Sequence, residues 1–315
     1  MTTATTVYMS PQTRGQRNVK RKIILARVAG FCFGVRRAVD IALAERKLRT
    51  GAMVTLGPVV HNSQVTEWLS GEGIDQSNNI ESIAPGSTVV MSAHGVSPLV
   101  RADAAVRGLA IVDVTCPFVT KVHRSALMLV EQGYHVLLVG DRGHTEVLGV
   151  VGAVRNAGGR VNVVTCVGDL DDIALGKKVG VISQTTQYAS NLAAVVGAAC
   201  LRCTEVRAVN TVCGATEELQ EAALEMAKQV DIAIVVGGVK SANSRRLREL
   251  CASQGIPAYQ VETADDIDPE WLTNATTIGL TAGASTPDWI IEAVACRLNG
   301  GELPSDWNLS HPDEK

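Results

Sequence analysis

This chain has little of several features that mark common classes of protein. Aromatic residues make up only 3% of its 315 residues, which disfavours recognition of nucleic-acid bases by stacking. Its formal net charge of -3 argues against a general nucleic-acid binder. No apolar run approaches the length that crosses a bilayer. The sequence therefore predicts a protein that binds neither nucleic acid nor membrane.

Cysteine is also scarce for a disulfide scaffold, with eight residues in a chain of this length. In a reducing cytosol these cysteines are free thiols, ligands or catalytic groups, and we expect a cytoplasmic protein. Residues 1–20 are polar and lack the apolar core of a signal peptide, so we expect a disordered tail there. The apolar content of 46% is ample for a large packed core.

Three stretches of the sequence share one pattern. Each contains a short apolar run, then a cysteine, then apolar residues three or four apart, as expected for an amphipathic helix. The cysteines are Cys32, Cys116 and Cys213. Two strand-and-loop segments follow each predicted helix, at similar distances from the cysteine in all three copies. Such a repeat predicts three similar structural units.

Alternating strands and helices predict an α/β fold with parallel sheets. We predict units at residues 21–115, 116–210 and 211–297, followed by a polar tail at 298–315. Ligands bind at the carboxyl ends of such strands, so a pseudo-threefold trefoil would gather the polar loops at one centre. The candidate site residues on these loops are His61, His94, His144, Glu146, Thr185, Ser241, Asn243, Ser244 and Ser285.

A cysteine just before a helix lies where free N–H groups and the helix dipole favour a thiolate. Three thiolates brought together need a cation, and a [4Fe–4S] cluster with three cysteine ligands and an open fourth iron fits this arrangement. Two alternatives stay open. The cysteines are also compatible with buried packing, or with a zinc site completed by one histidine.

The polar loops suit an anion such as a diphosphate. His61, His94 and His144 would donate hydrogen bonds, and the serines and Asn243 would add hydroxyl and amide donors. Asn243, Ser244 and Ser285 are equally compatible with turns and helix caps. Glu146 is the one carboxylate among these loop residues, so it is a candidate proton relay with Thr185 beside it. The alternative is a solvated loop glutamate.

Nine motifs together resemble one enzyme family over residues 23–297. They are Gly30-Phe31-Cys32-Phe33-Gly34-Val35, Val59-Val60-His61-Asn62, Ser92-Ala93-His94-Gly95-Val96, Thr115-Cys116-Pro117, Gly143-His144-Thr145-Glu146-Val147, Gln184-Thr185-Thr186, Cys213-Gly214-Ala215-Thr216, Ser241-Ala242-Asn243-Ser244 and Thr281-Ala282-Gly283-Ala284-Ser285. The family is 4-hydroxy-3-methylbut-2-enyl diphosphate reductase, the last enzyme of the non-mevalonate isoprenoid pathway.

The resemblance implies a trefoil around a [4Fe–4S] cluster and reductive removal of the allylic hydroxyl, giving isopentenyl and dimethylallyl diphosphates. Glu146 would deliver protons, Thr185 would help to orient the hydroxyl, and a ferredoxin or flavodoxin would supply electrons. The residues that match the family's substrate-binding positions are His61, His94, His144, Ser241, Asn243 and Ser285.

Five positions depart from the family pattern. Ala242 stands where serine is frequent, Thr145 replaces a proline, and Phe33 replaces a small residue. Leu148 stands where a polar or small residue is common, and Gly214 stands where an aromatic residue is frequent. They leave room for a relative with an altered substrate. A non-catalytic iron–sulfur or zinc protein that senses redox state is a further alternative.

Overall fold

The computed structural model describes residues 21–312, so the predicted tail at residues 1–20 lies outside the described residues. Within this range twelve strands alternate with nine α-helices. The strands are β1 (Lys22–Leu25), β2 (Met53–Leu56), β3 (Asp75–Ser77), β4 (Thr88–Met91), β5 (Ala110–Asp113), β6 (His135–Val139), β7 (Val161–Val164), β8 (Lys178–Ser183), β9 (Glu205–Ala208), β10 (Ile232–Val236), β11 (Ala258–Val261) and β12 (Thr277–Ala282).

The helices are listed in the same order along the chain. They are α1 (Phe33–Leu48), α2 (Ser63–Gly71), α3 (Pro98–Val106), α4 (Pro117–Glu131), α5 (Thr145–Asn156), α6 (Ala189–Cys200), α7 (Gly214–Ala227), α8 (Ala242–Ala252) and α9 (Asp288–Leu298). Four short 3-10 segments also occur, at Ile80–Ser82, Val167–Asp172, Ala264–Asp266 and Pro269–Leu272.

The strands form three parallel sheets of four strands each, with the orders β3-β2-β4-β5, β7-β6-β8-β9 and β11-β10-β12-β1. The register is equivalent at the centre of each sheet. Val54 pairs with Val89, Val136 with Gly180, and Ala233 with Gly279. The predicted α/β class with parallel sheets is therefore what the chain adopts.

The third sheet takes its last strand from the start of the described chain. β1 pairs with β12 and occupies the place that β5 and β9 hold in the other two sheets. The sequence predicted that residues 21–115 form the first unit, but the strand at Lys22–Leu25 belongs to the third sheet. The first and last thirds of the chain are thereby joined by backbone hydrogen bonds.

This exchange places each candidate cysteine on a connection between two sheets. The chain leaves β1, β5 and β9, passes through a cysteine, and enters a helix that packs on the following sheet. Apolar residues of α1, α4 and α7 cover one face of the first, second and third sheets respectively. Other apolar residues cover the opposite faces, so the central strands are buried on both sides.

The end of the described chain packs against the third sheet, although residues 298–315 were predicted as a polar tail. Trp307 and Leu309 lie against its apolar core. The Ala29 N–H donates to the Ser310 carbonyl at 2.8 Å, and His311 Nδ1 lies 3.1 Å from the Ala29 carbonyl oxygen. Within residues 21–312, no helix combines the length and apolar character needed to cross a membrane.

Candidate active site

One pocket opens between the three sheets, at the carboxyl ends of their strands. It encloses about 710 Å³ counted out to its mouth. All but one of the predicted site residues line it: Cys32, His61, His94, Cys116, His144, Glu146, Thr185, Cys213, Ser241, Asn243 and Ser285. Ser244 lies behind this wall, where its hydroxyl donates to Ser241 Oγ at 3.1 Å.

The three cysteines occupy equivalent backbone positions. Cys32, Cys116 and Cys213 are the residues immediately before α1, α4 and α7, in extended conformation. Their first helical turns approach one another closely, because a Cβ at Gly34 would overlap the Cys116 sulfur and would lie 4.0 Å from the Cys32 sulfur. Glycine is therefore required where α1 crosses the second cysteine.

Burial controls the protonation of these thiols. It raises the pKa of Cys32 to about 12 and that of Cys213 to about 11, and it also raises the pKa of Cys116. Backbone N–H groups of the first helical turns act in the opposite direction but do not overcome burial. Neighbouring thiols raise the pKa of Cys32 further. Thiolates at these positions therefore need a cationic partner, which a metal cluster would supply.

The spacing of the sulfurs distinguishes a cluster from a single ion. Among residues 21–312, only His61, His94 and His144 form a set of three metal-ligand side chains whose ligand atoms all lie within 4.8 Å of one another. A tetrahedral zinc with Zn–S bonds of about 2.3 Å would hold its sulfurs within roughly 4 Å of one another. The three cysteine sulfurs do not all lie within even 4.8 Å of one another. The donor set therefore fits a polynuclear group better than one zinc ion.

The histidines form a compact polar wall. The rings of His61 and His94 stack with centroids 4.2 Å apart and planes 19° from parallel, and His144 stands edge-on to both. Nearly parallel rings do not aim their nitrogen lone pairs at one point, which disfavours a shared metal ion. Burial lowers the pKa of all three, that of His144 to about 4, so the unliganded rings are neutral.

Glu146 is buried beside the cysteines and held by one residue. Its side chain accepts the Thr185 backbone N–H at Oε1 and the Thr185 hydroxyl at Oε2, both at 2.7 Å. Burial raises the pKa of Glu146 to about 7 although both Thr185 bonds favour the ionised form. A carboxyl that changes charge near pH 7 is suited to proton transfer.

The opposite wall is formed by the start of α8. The Ser241 hydroxyl caps this helix by accepting the Ser244 N–H at 3.3 Å. Asn243 is 4% exposed, and neither its side-chain nitrogen nor its oxygen has a protein partner. The Ser285 hydroxyl donates to the His61 carbonyl at 3.4 Å. An unpaired buried amide at a helix N-terminus indicates a site for a polar, anionic ligand.

The comparisons with known proteins agree with this pocket. The profile of a family described as LytB protein matches residues 23–299. The chain belongs to the LytB protein family. A relative from Aquifex aeolicus, named 4-hydroxy-3-methylbut-2-enyl diphosphate reductase, is 40% identical over 264 residues, covering 84% of this chain and 91% of that protein. A relative of the same name from Pelobacter propionicus is 43% identical over 265 residues, covering 84% and 93%.

Solved structures of such proteins share the fold of this LytB-family chain. One is described as the structure of (E)-4-hydroxy-3-methyl-but-2-enyl diphosphate reductase, the terminal enzyme of the non-mevalonate pathway. It matches with a TM-score of 0.66 and 39% identity over 89% of this chain and 99% of that one. The corresponding reductase from Plasmodium falciparum matches with a TM-score of 0.84 and 28% identity over 93% and 92%. The family and the trefoil fold predicted from the motifs are confirmed.

This LytB-family pocket has charged neighbours that the sequence did not reveal. Arg246 on α8 is 4% exposed and pairs with Asp141, which lies between β6 and α5. Both affect the pKa of Glu146, which Arg246 lowers and Asp141 raises. The only signal in the sequence was an arginine following the Asn243-Ser244 pair, and that does not tell which unit the side chain meets.

Proposed function

We propose that this LytB-family protein reduces (E)-4-hydroxy-3-methylbut-2-enyl diphosphate to isopentenyl diphosphate and dimethylallyl diphosphate. One observation carries the proposal. A single pocket combines three buried cysteines, a buried acid and a wall of neutral polar groups. Relatives at 40–43% identity that bear the name of this reductase support it.

Cys32, Cys116 and Cys213 would hold a [4Fe–4S] cluster and leave its fourth iron without a cysteine ligand. The fit rests on their burial, on the raised pKa values of their thiols and on sulfurs spread too widely for one zinc ion. When bound, such a cluster would supply electrons and a Lewis-acidic iron for the substrate hydroxyl.

The diphosphate would lie against the start of α8. There the positive end of the helix dipole would attract the anion, and the Ser241 hydroxyl and the unpaired Asn243 amide would donate hydrogen bonds to it. Ser285 and the three histidines would complete the ring of donors. Since the rings are neutral in the unliganded pocket, a bound anion would favour their protonated forms.

Glu146 would act as the proton donor. The reaction breaks the allylic C–O bond, consumes two electrons and two protons, and releases the hydroxyl oxygen as water. Thr185 donates to both oxygens of the acid, so that the carboxyl group is held at one place in the pocket. Burial keeps a large protonated fraction at neutral pH because it raises the pKa to about 7.

We assign the electron supply to a ferredoxin or flavodoxin, and we place the enzyme in the cytoplasm, where reducing conditions keep its thiols available. A paralogue that acts on another allylic diphosphate and a non-catalytic sensor are the competing functions. Both competing functions predict that neither five-carbon product forms when this substrate is added.

The test is anaerobic turnover of the allylic diphosphate with product analysis. The protein is purified without oxygen, its iron, sulfide and zinc are measured, and a strong chemical reductant replaces the natural donor. We expect bound iron and sulfide together with both five-carbon products. Stoichiometric zinc without iron, or a complete cluster with no turnover, would contradict the proposal.

A further inference from the structure

We infer that Arg246 is a positioning residue, which ties the loops that hold Glu146 to the helix that begins the diphosphate site. The inference rests on the proposed function and adds to it a residue outside the pocket lining. Arg246 belongs to α8 of the third sheet, whereas Glu146 and Thr185 follow strands of the second sheet. Their relative positions therefore depend on a contact between two units.

The Arg246 side chain reaches two loops of the second unit at once. Its Nη2 lies 2.7 Å from Asp141 Oδ1, and its Nη1 donates to Thr186 Oγ1 at 3.3 Å. Asp141 precedes α5, and Thr186 directly follows Thr185. One planar guanidinium thus fixes the separation of two loops with directed hydrogen bonds.

Both loops lead directly to the acid. The Asp141 carbonyl accepts the His144 N–H at 3.1 Å, and His144 Nδ1 accepts the Glu146 N–H at 3.2 Å. From the other loop, Thr185 donates two hydrogen bonds to the Glu146 carboxyl. A shift of either loop therefore moves the acid or removes a group that orients it.

The same arginine is fixed to the diphosphate side of the pocket. It lies about one helical turn after Asn243 on α8, so it moves with the start of that helix. Tyr188 fixes it further, because the Tyr188 hydroxyl donates to the Arg246 carbonyl at 3.0 Å and its ring lies 5.9 Å from the guanidinium carbon. Arg246 therefore sets the distance between the bound anion and the proton donor.

Several charged or titratable groups surround Glu146: Arg246 on α8, Asp141 and His144 on its own side, and Cys116 and Cys213 at the starts of α4 and α7. Arg245 lies one step further away, where it pairs with Asp141. Arg246 and Asp141 shift the pKa of Glu146 in opposite directions. Their charges partly cancel at the acid while both are present, and the positions of the two loops depend on the hydrogen bonds that Arg246 makes to them.

Arg245 provides a matched control on the same helix. It pairs with the other oxygen of Asp141 at 2.6 Å, but its side chain is 41% exposed, against 5% for Arg246. Exposed pairs contribute little, whereas removal of one partner from a buried pair disturbs its surroundings strongly. The two arginines share their charge and their Asp141 partner. They differ in burial, in the Thr186 and Tyr188 contacts of Arg246, and in a second ion pair of Arg245 with Glu249 at 3.8 Å.

The experiment measures kcat and KM for the allylic diphosphate in cluster-loaded enzyme carrying Arg246→Met, Arg246→Lys or Arg245→Met. For Arg246→Met we expect kcat to fall on the order of 10- to 100-fold with KM within about 3-fold, because misplaced reacting groups slow the chemical step. Arg246→Lys should recover part of the loss, because lysine keeps the positive charge but lacks the planar guanidinium that reaches two partners at once. Arg245→Met should change kcat less than about 3-fold.

A double variant separates positioning from general damage. If Arg246 acts through the acid, adding Arg246→Met to Glu146→Gln should lower single-turnover rates less than about 3-fold further. A full additional loss, an equal loss in Arg245→Met, or an unchanged kcat in Arg246→Met would each overturn the inference. If Arg246→Met does not fold, Asp141→Asn, which keeps the shape of its residue, replaces it with the same expectations. Wild-type turnover decides the proposed function independently of these variants.

Discussion

The two sides of the central pocket were built from the same threefold repeat, but they use it differently. On one side, each unit contributes one cysteine from the same position, immediately before a helix that crosses to the next sheet. On the other side, the helices that follow the central strands β2, β6 and β10 start with different residues. Equivalent positions therefore hold three identical cysteines on one side and a set of different polar residues on the other.

The second residue of these helices shows the difference. It is Gln64 in α2, Glu146 in α5 and Asn243 in α8. Gln64 turns away and donates to the Glu262 carbonyl at 2.7 Å, whereas Asn243 faces the pocket unpaired. Only the second unit places a carboxyl there, and only that unit places Thr185 on the neighbouring loop to hold it. The repeat thus sets the backbone position, and the residue that each unit carries there sets its chemistry.

The largest effect is expected on the repeated side. In the proposed site Cys116→Ser would remove one of three sulfur ligands, and we expect loss of most cluster iron and of measurable turnover. Iron and sulfide analysis of anaerobically purified protein, together with product formation, measures both. Cys200→Ser at an exposed cysteine outside the pocket is the control and should retain iron and activity. Full iron content in Cys116→Ser would refute the three-cysteine assignment.

The sequence predicted the repeated side better than the differentiated one. Each cysteine follows a strand and starts an amphipathic helix, and this local pattern is visible in one dimension. A short apolar strand fits the edge of any parallel sheet, so the sequence did not reveal that residues 22–25, which it placed in the first unit, pair with the third sheet. Which edge it joins depends on how three units close into a ring.

Packing between units also decides which charged side chains lie behind the pocket wall, and the sequence does not show this packing. The sequence indicated Glu146, Thr185 and the histidines from their places on polar loops, and the structure gathers them into one cavity. It did not indicate Asp141 or Arg246, because their pairing is decided by packing between two units far apart in sequence.

The second largest effect concerns the acid that only one unit has. In the proposed reaction Glu146 donates a proton from its protonated form, and burial raises its pKa to about 7. Activity that depends on it should therefore be highest below pH 7 and fall as pH rises through about 7. We expect Glu146→Gln to lower kcat on the order of 10²- to 10⁴-fold while the cluster is retained.

The pH profile of kcat/KM tests this assignment, because it reports groups of the free enzyme. The wild-type profile should show the fall near pH 7, and the residual activity of Glu146→Gln should lack it. A profile that keeps the same fall in the variant would assign that titration to another group. Normal turnover in Glu146→Gln would remove it as the proton donor.

A smaller effect is expected at the equivalent position of the third unit. In the unliganded pocket the Asn243 amide is buried without partners, which costs about 1–3 kcal/mol. Asn243→Leu should therefore keep or raise thermal stability while weakening pyrophosphate binding and raising KM about 10- to 100-fold. Gln64→Leu at the same position of the first unit is the control, and its KM should stay near wild type. Equal KM values in the two variants would show that Asn243 does not contact the diphosphate.

The smallest effect is expected one residue earlier, at Ala242. This residue is 3% exposed, lines the pocket and is the first residue of α8, so an added hydroxyl would lie beside the Ser241 and Asn243 donors. One further hydrogen bond to an anion should lower KM about 3- to 10-fold in Ala242→Ser without changing kcat. Ala252→Ser, at the exposed far end of the same helix, should leave KM unchanged. A raised KM in Ala242→Ser would mean that the diphosphate packs directly against this methyl group, and that the alanine shapes the site for its ligand.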